Sequence, residues 1–357
     1  MAKNYIGIDI GHKTLKLVAN SGDSIRKAAL AAIPDNLVKS GAIVSVEAMG
    51  DFIKASMKKF KIHGSRAALV LNNDRTFTKL VTMPLMTPAQ ITVNLPYEFS
   101  DYITDELTNY VFDYMVLSVH ESDEGQEQEQ SETPAEAVPW AQQEASETEK
   151  KETLKPKVME IMAVAAQKEM LEEMQVMIKR AGLKFVKAAP VIYAFIGILR
   201  AQNISDSQKE ICFLDIGQEN IIMHMFKGER YIITRTLQIG LGLVENKIAE
   251  AENVDIHIAH TYFENNHGDC QNSELVKEAY ADISVELQRA VNFYKFSNPD
   301  SNLNDIYVCG GGAGIKALVD EIRDNLGMNM QSCETLLKGK VQENACMCAQ
   351  AYGITQD

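Results

Sequence analysis

The chain has 357 residues, 46% of them apolar, and a formal net charge of −14. A chain of this length and apolar content can bury a substantial core, which predicts two domains or a bilobed fold. The negative charge argues against nucleic acid or an anionic membrane as a direct partner, because both bind a basic surface. Residues 121–152 hold eleven acids and two lysines, a net −9, so the remainder carries only −5.

Targeting signals and long apolar runs are not evident in the sequence. Residues 1–4 lead straight into an apolar strand, and no apolar run approaches the ~18 residues needed to span a bilayer. The six cysteines fall mostly inside apolar segments, which indicates reduced, buried thiols. We therefore expect a soluble, intracellular protein.

The N-terminal segment predicts a strand, a turn and a second strand. An apolar run that ends in Asp9 and Ile10 is followed by Gly11, and alternating residues resume after Thr14. Glycine lets such a turn bring backbone N–H groups close to a phosphate. A carboxylate beside a phosphate requires a divalent cation between them, so Asp9 indicates Mg²⁺ held through water.

The segment from 46 to 186 predicts a helix followed by a small α/β subdomain. The helix covers 46–60 and has one apolar face. Strands, a helix around 88–102 and further strands and a helix up to 186 follow it. Residues 121–157 interrupt this subdomain with a composition that cannot offset its ordering entropy, which predicts disorder. The alternative is a docking segment centred on Val138, Pro139 and Trp140.

A second half of similar pattern begins after a mostly apolar helix predicted over 185–201 and entered through Pro190. Asp215, Ile216 and Gly217 repeat the first turn after an equally apolar strand. A predicted loop over 257–272 holds His257, His260 and His267, for which a surface position is favoured over a metal site. A long helix is predicted over 273–296, with Ser273 as its N-cap.

A third element completes the set of nucleotide-binding signals. The strand 305–309 is followed by four glycines within 310–314 and then by an amphipathic helix over 315–326. A strand, a glycine run and a helix together let the backbone approach a nucleotide closely.

The order of these three elements resembles the nucleotide-binding core shared by actin, sugar kinases and the seventy-kilodalton chaperones. Within that superfamily the sequence is similar to PilM, the actin-like, FtsA-related family of type IV pilus assembly proteins. The similarity covers nearly the whole chain, and includes the segments 66–71, 78–86, 113–117, 158–170 and 181–183.

The resemblance implies an α/β fold of the actin-like, ribonuclease H-like type, with two duplicated lobes and a small α/β subdomain inserted in lobe one. Lobe one is expected to comprise 1–65 and 187–205, with a C-terminal helix in 341–357 packing back on it. The inserted subdomain is expected to span 66–186, and lobe two 206–340.

The cofactors implied are ATP and Mg²⁺, with Asp9 and Asp215 holding the metal through water. His12 and Lys13 stand where the family usually has small hydroxyl residues. For Lys16, pairing with phosphate and an exposed position on the strand are equally favoured. The predicted nucleotide-binding residues are Asp9, Gly11, His12, Lys13, Thr14, Lys16, Asp215, Gly217, Gln218, Asn220, Gly310, Gly311, Gly312 and Ala313.

Hydrolysis of the terminal phosphate needs a side chain that positions water, commonly Asp, Glu or Gln on the helix between the lobes in this superfamily. Residues 185–201 contain none of the three. We therefore predict no catalytic residue and a slow or absent ATPase activity.

The resemblance implies a cytoplasmic ATP-binding scaffold of a type IV pilus assembly machine. Its expected partners are the N-terminal cytoplasmic tail of the membrane protein PilN and other inner-membrane pilus components, which would hold it at the inner membrane without direct insertion. One alternative is an FtsA-like cell-division filament protein, although residues 348–357 lack the basic charge of a membrane-binding helix. The other is a sugar-kinase-type phosphotransferase, which needs an aspartate base and a longer chain.

Overall fold

A computed structural model describes residues 5–39, 41–71, 76–121, 157–204, 208–339 and 345–356. Of the acidic segment predicted to be disordered, residues 122–156 lie outside these ranges, and with them the alternative docking segment at Trp140. The strands in chain order are β1 Ile6–Ile10, β2 Thr14–Ser21, β3 Ser24–Ala32, β4 Val38–Lys39, β5 Ala42–Ile43, β6 Arg66–Leu71, β7 Thr76–Pro84, β8 Tyr110–Glu121, β9 Lys157–Gln167, β10 Lys184–Pro190, β11 Glu210–Ile216, β12 Ile221–Lys227, β13 Arg230–Leu237, β14 Asp305–Cys309 and β15 Asn329–Ser332.

The α-helices are α1 Val46–Lys59, α2 Pro88–Asn94, α3 Lys168–Arg180, α4 Val191–Ala201, α5 Leu241–Glu252, α6 Ile256–Glu264, α7 Glu274–Ser297, α8 Lys316–Leu326 and α9 Ala349–Gly353. Short 3₁₀ turns cover Leu95–Phe99, Leu107–Asn109, His267–Asn272, Gly311–Gly314, Cys333–Leu336 and Ala345–Cys348. Within the described ranges, none of these helices combines the length and the apolar character that crossing a membrane requires.

The chain forms two compact units, one made of Met1–Thr76 with Ala166–Asp357 and the other of Phe77–Ala165. The first unit contains two five-stranded sheets with the orders β10-β6-β1-β2-β3 and β13-β12-β11-β14-β15. In each sheet an antiparallel meander of three strands continues into two parallel strands. The matching topologies confirm the duplication predicted from the sequence.

Two strands of the first sheet differ from their predicted placement in the small subdomain. β6 pairs in parallel with β1, and β10 pairs in parallel with β6. Parallel neighbours require a long crossover connection, and the chain between β6 and β10 supplies it. The second unit therefore begins after β6 and ends before β10. The other predicted domain boundaries stay predictions.

Helices cover both large sheets. Against the first sheet, Met49 and Ile53 of α1 are fully buried beside Met177 and Ile178 of α3, and this confirms the apolar face predicted for 46–60. On α4, Phe195 stacks on Phe213 of the second sheet with ring centroids 4.3 Å apart. α7 lies over the second sheet and is capped by Ser273, whose Oγ accepts from Val276 N, as predicted.

The second unit has a three-stranded sheet of order β7-β9-β8 and its own apolar core around Phe99 and Ile161. The helix predicted around 88–102 is shorter than expected. Thr87 and Gln90 form a capping box at the start of α2, which ends at Asn94, two residues before Pro96. A 3₁₀ turn follows, because proline lacks the N–H that would continue the helix.

Two further predictions of secondary structure are wrong. The helix expected over 185–201 begins only at Val191, because the preceding residues pair with β6 as β10. The loop expected over 257–272 contains the helix α6 and a 3₁₀ turn. Asp255 caps α6, since its side chain accepts a hydrogen bond from His257 N.

Candidate functional site

The two glycine turns of the first unit open onto one cavity of about 460 Å³. Eleven of the fourteen predicted residues line it, and Gly310, Gly312 and Ala313 do not. The eleven are Asp9, Gly11, His12, Lys13, Thr14, Lys16, Asp215, Gly217, Gln218, Asn220 and Gly311. Duplication therefore brings together residues that lie about two hundred positions apart.

The two turns have the same local geometry. Gly11 N donates to Thr14 O, and Gly217 N donates to Asn220 O, both at 3.0 Å. A Cβ atom at Gly217 would lie 2.8 Å from Asn220 O, a distance that forces the turn to shift. The close approach explains why glycine follows the aspartate and isoleucine in this turn.

Lys16 forms a buried ion pair with Asp9. The two residues are directly opposed in the pairing of β1 with β2, and Lys16 Nζ lies 2.7 Å from Asp9 Oδ2. Their side chains are 12% and 2% exposed, so the interpretation of Lys16 as an exposed strand residue is wrong. Burial lowers the pKa of Lys16, but Asp9 and Asp215 more than offset this and leave that pKa above its usual value.

Asp215 is held from two other parts of the chain. Gln350 Nε2, on α9, donates to Asp215 Oδ2 at 2.6 Å. Burial raises the pKa of Asp215, and Asp9 raises it further against the opposing charge of Lys16. Gly310 has φ +82, and a Cβ there would lie 2.1 Å from Asp215 Oδ1. Only glycine therefore fits at position 310, where the backbone passes close to the Asp215 carboxylate.

Polar contacts also join the two halves of the first unit across the cavity. His12 Nε2 lies 3.3 Å from Glu219 Oε2, which links one turn to the other. Asp35 is contacted at Oδ1 by Lys13 Nζ and at Oδ2 by His257 Nδ1, both at 3.0 Å. The hydrogen bond from Lys13 lowers the pKa of Asp35.

A carboxylate and an imidazole that the sequence did not single out for ligand binding also line the cavity. Glu245 on α5 is 3% exposed, and it contacts both His260 of α6 and Gln218 of the second turn. Because a loop was expected over 257–272, the contact of His260 with Glu245 was not predicted. Asp255, a good N-cap residue ahead of α6, was the signal available in the sequence.

Comparisons with known proteins agree with this architecture. A sequence model of the family described as "Type IV pilus assembly protein PilM" matches residues 126–347. No curated protein matches the chain.

Two solved structures resemble the whole chain. A structure of the "PilM-PilN type IV pilus biogenesis complex" is 18% identical with a TM-score of 0.76, over 99% of this chain and 98% of that chain. The ethanolamine utilization protein EutJ from Carboxydothermus hydrogenoformans is 13% identical with a TM-score of 0.56, over 99% of this chain and 90% of that chain. With the paired sheets, these likenesses confirm the predicted actin-like fold.

Proposed function

The chain belongs to the PilM family of type IV pilus assembly proteins, and on this premise we propose that it is a scaffold that binds ATP with Mg²⁺ and grips the N-terminal tail of a PilN-like membrane protein. One observation carries the nucleotide half of the proposal: both glycine turns, with Lys13, Lys16 and His12, line a single cavity. Its volume of about 460 Å³ suits a small-molecule ligand.

The residues of the cavity fit a hydrated Mg²⁺ ion. Mg²⁺ prefers oxygen ligands and usually keeps several waters, so Asp9, which is buried, and Asp215, which is partly buried, are an appropriate donor set. Lys16 contacts Oδ2 of Asp9 and Gln350 contacts Oδ2 of Asp215, and each carboxylate, with about four lone-pair sites, can still accept hydrogen bonds from metal-bound water. When bound, the ion would neutralise charge on the terminal phosphates.

The same residues favour holding a nucleotide over hydrolysing it. Helix α4 carries no Asp, Glu or Gln. Glu245 is the buried acid beside the second turn, but its two oxygens are engaged by Gln218 and His260. A general base must accept a hydrogen bond from the attacking water, and each oxygen of Glu245 already accepts one from a side chain. We infer that bound nucleotide braces the two halves and turns over slowly or not at all.

Gly310→Ala is expected to abolish stabilisation by ATP. Its Cβ would meet the Asp215 carboxylate at 2.1 Å and Ile216 O at 2.7 Å, and φ +82 is unfavourable for alanine. For the wild-type chain, MgATP at a hundred times its Kd should add about 2.7 kcal/mol to the free energy of unfolding. Thermal unfolding with and without MgATP measures the stabilisation by ATP in the wild type and in Gly310→Ala.

Gly327→Ala is the matched control for Gly310→Ala. Gly327 has φ +60, ends α8, and has no atom within 4 Å of a Cβ position. This variant should lose stability from its backbone conformation and keep the full stabilisation by ATP. Equal responses of the two variants to ATP would contradict the proposed nucleotide site.

The peptide-binding half of the proposal is supported by the surface of the second unit. Eight of the fifteen large apolar side chains that are exposed among the described residues lie there, although that unit is the smaller one. They are Phe77, Leu85, Val93, Tyr97, Tyr102, Val111, Val116 and Val119. β8, which carries the last three, stands at the end of its sheet order. An extended tail can add to such an edge and place apolar side chains against its neighbours.

Tyr97→Ala is expected to weaken binding of a peptide with the N-terminal sequence of a PilN-like protein by at least about tenfold. Tyr97 is 69% exposed, and tyrosine is enriched among residues that dominate interfaces. Fluorescence anisotropy of the labelled peptide measures the change. Phe296→Ala, which removes an 85% exposed aromatic from α7 of the first unit, should leave binding unchanged. Unchanged binding in Tyr97→Ala, or an equal loss in the control, would contradict this location.

A further inference from the structure

Glu245 fixes the orientation of His260 inside the nucleotide cavity. Glu245 Oε1 lies 2.7 Å from His260 Nδ1, and a carboxylate can only accept, so Nδ1 carries the proton. The other ring nitrogen, Nε2, lies 3.8 Å from Glu264 Oε2, and the side chain of Glu264 is 66% exposed. His260 therefore makes a short hydrogen bond at Nδ1 and only a long contact with an exposed carboxylate at Nε2.

The pair is tied to the second glycine turn. Gln218 Nε2 donates to the other oxygen of Glu245 at 2.6 Å, and Gln218 O accepts from Gly242 N at 2.8 Å. Gln218 directly follows Gly217, so the position of the imidazole is coupled to the backbone that would meet phosphate. His260 and Lys13 of the first turn line the same cavity.

The charged groups that face His260 come from three elements besides its own helix. The hydrogen bond that His260 donates to Glu245 of α5 raises the pKa of His260, and burial lowers it by less. Glu264 of α6 adds to the rise, and Lys13 of the first turn opposes it. Asp35, in the segment after β3, is close enough for His260 to lower the pKa of its carboxyl. The environment as a whole favours the imidazolium.

We propose that His260 is a phosphate-binding residue, whose imidazolium, oriented by Glu245 and Gln218, donates from Nε2 to the phosphate chain of the bound nucleotide. The inference rests on the proposed nucleotide binding. Glu264 is displaced easily, because a pair this exposed contributes little.

Protonation decides whether this contact attracts or repels the ligand. A neutral His260 that donates Nδ1–H to Glu245 presents a lone pair at Nε2, which repels phosphate oxygens. The imidazolium presents an N–H and a positive charge. Affinity for nucleotide should therefore rise as the pH falls, by at most about tenfold per pH unit for a single ionisation.

ATP affinities of wild type, His260→Asn and His63→Asn at pH 6 and pH 8 test the proposal on the full chain. Asparagine keeps a donor near the position of Nδ1 and removes Nε2, so Glu245 retains a partner. The affinity ratio of wild type to His260→Asn should be about tenfold at pH 6 and should fall toward one as the pH rises through the pKa of His260. The protonation of ATP itself cancels in this ratio. His63→Asn, an exposed histidine that does not line the cavity, should match wild type at both pH values.

NMR titration of the His260 ring provides a second readout that does not require ATP binding. Pyrophosphate should raise the pKa of His260, and adenosine should leave it unchanged. Glu245→Gln should lower the midpoint of the pH profile, because Glu245 acts only by positioning and charging the ring.

The failures of the two proposals are distinguishable. If wild type binds ATP and the ratio is the same at both pH values, His260 is not a phosphate ligand and the nucleotide site stands. If ATP does not bind at any pH, the proposed function fails, and the pyrophosphate titration alone decides the role of His260. A rise in its pKa with adenosine would also overturn the inference.

Discussion

Lys16→Met is expected to lower the free energy of unfolding by roughly 3–5 kcal/mol, because it leaves buried carboxylates without their cation. Asp9 is 1% exposed, and its Oδ2 lies 2.7 Å from Lys16 Nζ. The charge of Lys16 also opposes the rise in the pKa of Asp215. Methionine fills much of the volume of lysine, so lost charge compensation accounts for most of the effect. Chemical denaturation of the ligand-free protein measures it.

Lys13→Met is the matched control, since Lys13 also pairs with an aspartate at the same cavity. Its side chain is 31% exposed and that of Asp35 is 59% exposed, so the loss should not exceed about 1 kcal/mol. Adding Asp9→Asn to Lys16→Met should restore part of the lost stability, because it removes one uncompensated charge. Losses of equal size in the two lysine variants would contradict the buried pair.

The pH dependence of Lys16→Met provides an independent check. Without the lysine, the rise in the pKa of Asp215 that burial and Asp9 cause is no longer opposed, so this pKa should exceed its value in the unfolded chain. The folded state then binds protons more readily than the unfolded state, and its stability rises as the pH falls. The difference from wild type should therefore be smaller near pH 5 than near pH 8. A constant difference over this range would exclude the carboxylates as its cause.

The position of Lys16 was within reach of sequence analysis. The predicted hairpin around Gly11 already implied an antiparallel pair, and residues directly opposite in such a pair have neighbouring side chains. The Gly11–Thr14 turn places Asp9 opposite Lys16. The alternation of residues along β2 alone could not show that Lys16 faces Asp9. Alternation distinguishes the two faces of a strand, but it does not identify the opposing residue on the neighbouring strand.

Gln350 had no comparable signal. It lies 135 residues from Asp215 in sequence, and its contact depends on α9 packing against α4, β1 and β2. α9 spans only Ala349–Gly353, so its apolar residues make too little of a period to indicate a buried face. A contact between segments this far apart in sequence depends on the whole fold. A local sequence pattern indicates only which nearby residues share one face of a helix or strand.

The predicted boundaries of the small subdomain rested on composition and on the order of the elements. The observed boundaries follow from parallel strand pairing, which places β6 and β10 in the first unit. β6 and β10 are apolar segments that flank the inserted chain, so the sequence grouped them with it. β6 pairs with β1, which lies sixty residues before it, and β10 pairs with β6. A parallel strand carries no turn signal that points to its neighbour, unlike the hairpins formed by β1–β2 and β11–β12.

Gly353→Ala is expected to destabilise the protein by on the order of 3 kcal/mol, because it forces α9 away from α4. A Cβ at Gly353 would lie 2.1 Å from Ala194 O, a backbone atom inside a helix. On the facing helix, a Cβ at Gly197 would lie 2.5 Å from Gly353 O. Alanine favours helices over glycine, so any loss measured is net of that gain. Thermal and chemical denaturation measure it.

Displacement of α9 should also reach the nucleotide cavity, because the same short helix presents Gln350 to Asp215. Gly353→Ala should therefore weaken ATP binding even where the variant is still folded. Gly311→Ala is the control for stability, since its Cβ would meet no atom nearer than 3.9 Å. It should unfold with wild-type stability in the absence of ligand. If Gly353→Ala were as stable as Gly311→Ala, α4 and α9 would accommodate the added Cβ, and the clash expected from the 2.1 Å distance would be contradicted.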